Sequence, residues 1–321
     1  MKWVGVFFGF ILLVMIILSF IWGRAPSQFD ARGVAAARSG GNMVTGSAIT
    51  ATLIETAENL LDKPGGYLSN DIAPPSVFMD DIPNWEFGVL VQVRDMADAL
   101  RNDFSRSRSQ SLENEALRDA MPLFNYHNDS WIFPSSESQY RKAIASTEKY
   151  LAQLSEQSHQ DAQFYARADN LRDWLARVEK RLGGLSQRLG ASVGQVRTNT
   201  DLAGDNAAEQ STQASNVIIT KTSWLELDDV FFEARGQTWA LLHFFEAVQI
   251  DFQSVLEKKN AQALVEQIIR ELEGTQHMVW SPMILNGSGF GLFANHSLVM
   301  ASYISRANAA VIDLRDLLGQ G

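Results

Sequence analysis

The chain of 321 residues contains no cysteine. Thiolate catalysis, thiolate zinc sites and covalently attached c-type haem are therefore excluded, because each of them needs a cysteine sulfur. The absence also fits an exported protein that avoids disulfide chemistry. No motif for a cofactor or a metal ion stands out in the remaining residues, so we predict neither.

Basic residues are outnumbered in this chain. Lys and Arg total 27 against 37 Asp and Glu, and the formal net charge is −10. Binding of nucleic acid or of anionic lipid headgroups needs a concentrated basic surface. The balance argues against nucleic acid as a partner, and an acidic surface mainly favours solubility.

Charge is absent from residues 3–22, WVGVFFGFILLVMIILSFIW. A helix of twenty residues is about 30 Å long, which matches the hydrocarbon core of a bilayer. Trp3 and Trp22 bracket the run, and indole rings favour the membrane interface. A cleaved signal peptide has a shorter apolar region, so we predict an uncleaved transmembrane anchor at 1–23. A removed signal and a soluble buried helix are the alternatives.

The residues that flank the anchor give conflicting indications of its orientation. Lys2 precedes the apolar run, whereas Arg24, Arg32 and Arg38 follow it, and this count alone favours a cytoplasmic domain. A two-residue tail before an apolar run is nevertheless the usual form of a bacterial anchor with its N-terminus inside. We therefore expect a single-pass protein of the bacterial inner membrane with a periplasmic soluble domain.

Gly5 and Gly9 lie four residues apart, on one face of the predicted anchor helix. Such a pair lets two membrane helices approach closely, so both glycines are candidates for a helix–helix contact in the membrane. The alternative is that glycine is simply common in membrane helices.

Long alternating runs of β-branched residues are scarce after the anchor, and Ala, Leu, Gln, Glu and Arg dominate, which favours helix. The predicted fold is all-α, a transmembrane helix followed by a helical bundle. Residues 24–44, rich in Gly, Ala and Arg, are typical of a flexible tether. The remainder divides into a helical region at 45–197, a flexible linker of small polar residues at 198–216, and a helical core region at 217–321 that packs with 45–135.

The clearest periodicity lies in residues 136–196. Apolar residues recur at alternating spacings of four and three, first in 140–154 and again in 164–196, which is the a/d pattern of coiled coils. A short polar segment separates the two stretches, so the sequence predicts a coiled-coil-like antiparallel αα-hairpin. The last predicted helix, at 294–318, carries a similar pattern.

Residues 274–305 contain no Asp, Glu, Lys or Arg. A second membrane span is one interpretation, but Pro282 and the glycine-rich stretch at 286–291 interrupt the segment. An uncharged loop that leads into a buried helix is the favoured interpretation. The aromatic helix predicted at 223–258 would form the buried centre of the domain.

Three parts of the sequence together resemble a known family: GGYLSNDIAPP with NWEFGVLVQVRD at 65–75 and 84–95, DDVFFEARGQTWALLHFFEAV at 228–248, and SPMILNGSGFGLFANHSLVMASYISRANAAVIDLRDLL at 281–318. They are similar to an uncharacterised family of proteobacterial inner-membrane proteins, a domain of unknown function. The resemblance covers nearly the whole chain and implies an envelope protein with one N-terminal span. It implies no activity, cofactor or catalytic residue.

Ionisable and amide side chains near the aromatic helix and the uncharged loop are the candidates for a functional site. Asp229 and Glu233 lie four residues apart on one helix face and could share a proton or hold a cation, with structural pairing as the alternative. The backbone amides of 286–291 could receive an anion, although a tight turn explains the glycines equally. The complete set of candidates is Asp228, Asp229, Glu233, Arg235, His243, His277, Asn286 and His296.

We assign no catalytic residue, so the favoured function is that of a non-enzymatic scaffold or adaptor. Its partners would be the bilayer, through residues 3–22, other envelope proteins, and a second copy of the chain. The alternative is an anchored enzyme or ligand-binding protein that uses the loop at 286–291 and the helix from Asp228 to His243. An enclosed pocket with converging polar groups would favour that alternative.

Overall fold

A computed structural model describes residues 2–107, 113–156, 162–198, 217–281, 283–288 and 291–320. These residues form eleven α-helices and one antiparallel two-stranded ribbon, so the predicted all-α bundle is confirmed. In chain order the helices are α1 Lys2–Trp22, α2 Ala31–Arg38, α3 Ser47–Asp62, α4 Asp81–Ala99, α5 Glu115–Phe124, α6 Ser136–Glu156, α7 Ala168–Gly190, α8 Leu227–Asp251, α9 Gln253–Lys258, α10 Gln262–Thr275 and α11 His296–Gly319.

Helices α4 and α8 form the centre of the bundle and pack along their lengths. Their backbones touch at two glycines. A Cβ atom on Gly88 would overlap the carbonyl oxygen of Glu233, and one on Gly236 would overlap the carbonyl oxygen of Trp85. The aromatic helix is thus buried as predicted, and glycine at both positions permits the close crossing.

Helix α7 packs along α11, while α6 packs against α5 and α3. The two helices predicted within 136–196 are therefore present, but their predicted pairing as a hairpin is wrong. A 4-3 pattern identifies the apolar face of a helix and leaves its partner open, and the face of α7 is covered by the similar face of α11. Leu171, Leu175 and Leu182 are fully buried on that face of α7.

The ribbon joins β1 Gln195–Thr198 to β2 Val217–Thr220, with Gln195 opposite Thr220. The sequence pattern extends the helix to residue 196, whereas α7 ends at Gly190 and Val196 is an exposed strand residue. Except for Thr198, the predicted linker at 198–216 lies outside the described residues.

Residues 24–44 lie along the bundle, which corrects the prediction of a flexible tether. Asp30 caps α2 by accepting the backbone N–H of Arg32 at 3.0 Å, and the small side chains of Ala31 and Ala35 are buried where α2 packs on α3 and α8. Composition alone misled here, because a short alanine face is enough to dock a helix when its partner faces are apolar.

Helix α1 projects from one end of the bundle, and none of its central apolar window is buried. The ring of Trp22 lies against Gly65, and a Cβ atom on Gly23 would lie 3.5 Å from the terminal methyl of Met79. We call this the basal end. Its loops are 63–80, 125–135, 191–198, 217–226 and the described parts of 276–295.

The basal loops touch one another. The Tyr67 hydroxyl donates to the carbonyl of Asn128 at 3.0 Å, and the Asn286 amide donates to the carbonyl of Ser192 at 2.9 Å. The opposite, distal end holds the described parts of 39–46, 100–114, 157–167 and 252–261.

Candidate functional site

A cleft of about 1120 Å³ lies at the basal end, where α1 meets the bundle. Its walls are the end of α1 with residues 23–28, the beginning of α4, the first half of α8 and the described part of 276–284. We call it the basal cleft. Trp85 and Trp239 line its inner part with ring centroids 5.3 Å apart.

Four carboxyl groups gather at this cleft because α4 and α8 both begin there with paired aspartates. Asp80 precedes α4 and Asp81 opens it, while Asp228 and Asp229 lie in the first turn of α8. Aspartate is favoured at helix N-termini, where it satisfies free N–H groups and the helix dipole. None of the four makes an ion pair within the described part of the chain.

Burial, with the nearby carboxylates of Asp80 and Asp228, raises the pKa of Asp81 to about 7. Burial and the charge of Asp228 also raise the pKa of Asp229. The cleft therefore disfavours the accumulation of negative charge, which an incoming cation would relieve. Across the described residues, no group of three or more His, Asp or Glu could hold a metal ion.

Arg235 points at main chain instead of at a carboxylate. Its guanidinium donates to the carbonyl oxygens of Gln276 at 2.9 Å and of His277 at 3.0 Å, just past the end of α10. Burial lowers the pKa of Arg235. A cation at a helix C-terminus satisfies carbonyls that the helix leaves free, so Arg235 fixes the segment 276–284 against α8.

Asp229 and Glu233 have separate partners, although they share a helix face. Asp229 accepts the side-chain N–H of Asn84 at 2.6 Å. Glu233 pairs with Arg188 of α7 and accepts the amide of Gln237 at 3.0 Å. These contacts fit the structural alternative and tie α8 to its neighbours.

His243 is fully buried on α8, away from the basal cleft. It stands fifteen positions after Asp228, roughly 22 Å along the helix axis. Its Nδ1 lies 3.2 Å from a Glu246 carboxylate oxygen, and its ring stacks on Phe29 with centroids 3.8 Å apart. His243 thus holds the segment before α2 on the bundle.

His277 and His296 line a second, mostly apolar cleft of about 380 Å³, together with Trp280 and Tyr303. The two histidines that flank the uncharged loop are thus brought to one cleft. The Nδ1 of His296 accepts the backbone N–H of Leu285 at 3.1 Å, and burial lowers the pKa of this imidazole.

Asn286 belongs to a tight turn. Its side chain donates to Ser192, as described above, and accepts the amide of Asn295 at 2.8 Å. A Cβ atom on Gly287 would overlap the carbonyl oxygen of Phe293, so the turn requires glycine. Residues 289 and 290, in the centre of the proposed anion loop, lie outside the described residues.

Gly5 and Gly9 have no neighbouring atom within 4 Å of a Cβ placed on them. Their common face on α1 is therefore open in the single chain, and a second helix can reach it. Among the described helices, only α1 is long and apolar enough to cross a membrane, over Trp3–Trp22.

A fully buried ion pair beside the cleft escaped sequence reasoning. The Nζ of Lys63 lies 2.5 Å from a carboxylate oxygen of Glu86, and neither side chain is exposed. The Glu86 carboxylate also accepts the backbone N–H groups of Leu68 at 2.9 Å and Ser69 at 2.8 Å. The sequence did offer an indication of this pair. Glu86 is a single glutamate on an otherwise apolar stretch of α4, and Lys63 directly follows the end of α3.

No curated protein and no solved structure matches the chain. The model of one family, described as an uncharacterized protein conserved in bacteria, matches residues 1–321. The resemblance noted in the sequence therefore extends from end to end, and the chain belongs to this family, DUF2333.

Proposed function

We propose that the protein is a single-pass inner-membrane protein whose helical domain is periplasmic and binds other envelope proteins as a scaffold or adaptor. The observation that carries the proposal is α1. Its twenty residues Trp3–Trp22 are uncharged and project from the bundle with none of the apolar window buried. A surface of that size and polarity is typical of a helix that crosses a bilayer, which supports the proposal.

The basal cleft supplies the binding surface in this proposal. It combines the partly exposed ring of Phe232 with the carboxyl groups of Asp80, Asp81 and Asp228, which form no ion pair within the described chain. An aromatic ring beside unneutralised carboxyl groups suits a partner segment that carries Lys or Arg. Because a cation would lower the raised pKa of Asp81, binding should strengthen as the pH rises through about 7.

The positions of the other candidate residues favour binding over catalysis. Glu233, Arg235 and His243 hold helices or main chain together. Asn286 is engaged in its own turn. For an anchored enzyme built from the loop at 286–291 and the helix from Asp228 to His243, only Asp228 and Arg235 of the candidate residues line the basal cleft, and neither Asn286 nor His243 reaches it.

The test is site-specific photo-crosslinking in native membranes, with the photoreactive residue at Phe232 in the cleft or at Lys258 at the distal end. We expect crosslinks to an envelope protein from Phe232, reduced several-fold by Asp81→Asn with Asp228→Asn. Glu257→Gln, a neutralisation at the distal end, should leave them unchanged. Equal crosslinking from both positions, or none from Phe232, would contradict the assignment of the cleft.

Orientation has its own test. A phosphatase fused after Gly321 should be active, and a fluorescent protein that matures only in the cytoplasm should stay dark. The reverse pair of results would place the domain in the cytoplasm, as the arginine count favours.

A further inference from the structure

The exposed apolar side chains of the domain are confined to one end. Within the described residues, every exposed large hydrophobic side chain outside α1 lies in a basal loop or in the first turn of α11. The described distal loops contribute none. Apolar surface scattered over a soluble domain is ordinary, whereas its concentration on one face indicates a contact.

The residues on this basal face are the types that occupy membrane interfaces. Phe78 is 76% exposed, Phe133 98%, Trp224 72% and Trp280 89%. These four residues lie in four different loops, so the exposed aromatic surface is a property of the whole basal end and not of one loop. Trp and Phe beside Leu, Ile and Met are typical of segments that insert shallowly among headgroups and upper acyl chains.

The basal face is continuous with the end of the anchor. Trp22, which closes the apolar run, rests on Gly65, and Gly23 adjoins Met79. Phe20 and the segment 276–284 line the same cleft. Once α1 spans a bilayer, these loops are held at the level of its interface. The anchor therefore gives them a high effective concentration at the lipid surface, so that even a weak contact forms.

The distribution of charged residues on the basal face indicates which kind of lipid contact it can make. The uncharged segment 274–305 supplies Trp280 and its neighbours, whereas Asp80, Asp81 and Asp228 lie at the same end. Arg24 and Lys221 are exposed at this end as well, but acidic residues outnumber basic ones there, so the contact with the membrane rests mainly on apolar insertion.

We propose that the basal loops form a second membrane contact, in which the domain lies with this face in the interface of the bilayer that α1 crosses. This inference rests on the proposed anchoring of α1 and adds a fixed orientation of the domain. The contact is made to neutral lipid and is insensitive to salt, in contrast to a polybasic membrane contact.

The chain has no cysteine, so single-cysteine labelling of the full-length protein gives an unambiguous test. The variants Phe78→Cys, Trp224→Cys and Trp280→Cys place a fluorophore on the basal face. Lys258→Cys, exposed on α9, is the distal control, and Leu12→Cys in α1 reports the depth of the anchor. Each labelled protein is reconstituted in phosphatidylcholine nanodiscs that carry nitroxide at a shallow or a deep acyl position.

We expect the shallow nitroxide to quench each basal label at least threefold more than the Lys258→Cys label, and the deep nitroxide to quench the Leu12→Cys label. Added phosphatidylglycerol or salt should not change the basal values. Quenching at Leu12→Cys with basal labels no more quenched than the distal control would overturn this inference and leave the anchoring intact. Absence of quenching at Leu12→Cys would overturn the anchoring itself. Three basal positions are used so that one misfolded variant does not decide the result, and circular dichroism checks the helix content of each.

Discussion

Replacement of Lys63 by methionine tests whether the buried ion pair fixes the base of the domain. Lys63 and Glu86 are both fully buried and lie 2.5 Å apart. Removal of one partner from such a pair costs about 3–5 kcal/mol, because the other charge stays behind without compensation. Glu86 keeps its backbone donors from Leu68 and Ser69, so we expect a loss of about 3 kcal/mol in the free energy of unfolding at pH 8.

The loss should depend on pH with a defined sign. Burial raises the pKa of Glu86 in the folded protein, and Lys63 opposes that rise. Without Lys63 the folded-state pKa rises further, while the unfolded-state pKa stays near about 4.3. A carboxyl group with a raised folded-state pKa contributes stability below its unfolded-state pKa and loses it as the pH rises through the folded-state value. The deficit of Lys63→Met should therefore be small near pH 4 and largest at alkaline pH.

The assay is urea unfolding of the full-length protein in detergent micelles, followed by the fluorescence of its tryptophans at several pH values. The double variant Lys63→Met with Glu86→Gln carries no buried charge and should recover most of the loss. The matched control is Arg141→Met, which breaks an exposed pair with Asp62 at 2.8 Å and should cost less than about 1 kcal/mol. A Lys63→Met deficit no larger than that control, or one without pH dependence, would refute the reasoning.

Three further predictions concern the packing and the anchor. Leu175→Ala removes a fully buried side chain from the interface of α7 with α11 and should cost about 2–5 kcal/mol in urea unfolding. Gly236→Ala drives a Cβ atom into a backbone carbonyl of α4 and should cost about 3 kcal/mol or more, whereas Gly184→Ala, open and helical, should stabilise by up to about 1 kcal/mol. Reversal of that order would show that α4 and α8 do not cross at these glycines. Leucine at Gly5 and Gly9 should abolish self-association of α1 in a membrane two-hybrid reporter, and association that survives both changes would exclude this face as the contact.

The helices could be predicted because their signals are local. The Pro64-Gly65-Gly66 sequence that follows α3 is a local signal for the end of a helix, and the 4-3 pattern correctly identified the buried face around Leu175. The partner of that face could not be predicted, because α11 lies more than a hundred residues further along the chain and nothing local distinguishes it from α6. The packing of α2 on the bundle was not predicted for a related reason. Its buried face consists of small alanine side chains, which give only a weak periodic pattern of hydrophobicity.

Only the part of the basal cleft that belongs to α8 was predicted from the sequence. Asp228 and Arg235 were singled out as ionisable groups on an apolar helix, and both line the cleft. Asp80 and Asp81 were not among the candidate residues, because they lie in a stretch interrupted by Pro74, Pro75 and Pro83. Their role depends on α4 and α8 starting at the same end of the bundle, which is a property of the assembled fold. Two helices that each open with a pair of aspartates were the available signal.

The docking of residues 24–44 on the bundle limits how far the domain can travel from the end of α1. A flexible chain of that length would let the domain sweep a wide volume around that point, whereas here the bundle begins where α1 ends. Its longest helix, α8, has 25 residues and is roughly 37 Å long. With α1 in a bilayer, the domain meets only molecules that come within about that height, and its encounters are governed by lateral diffusion. In that arrangement the protein would search in two dimensions, and the molecules that it met most often would be those in the same membrane.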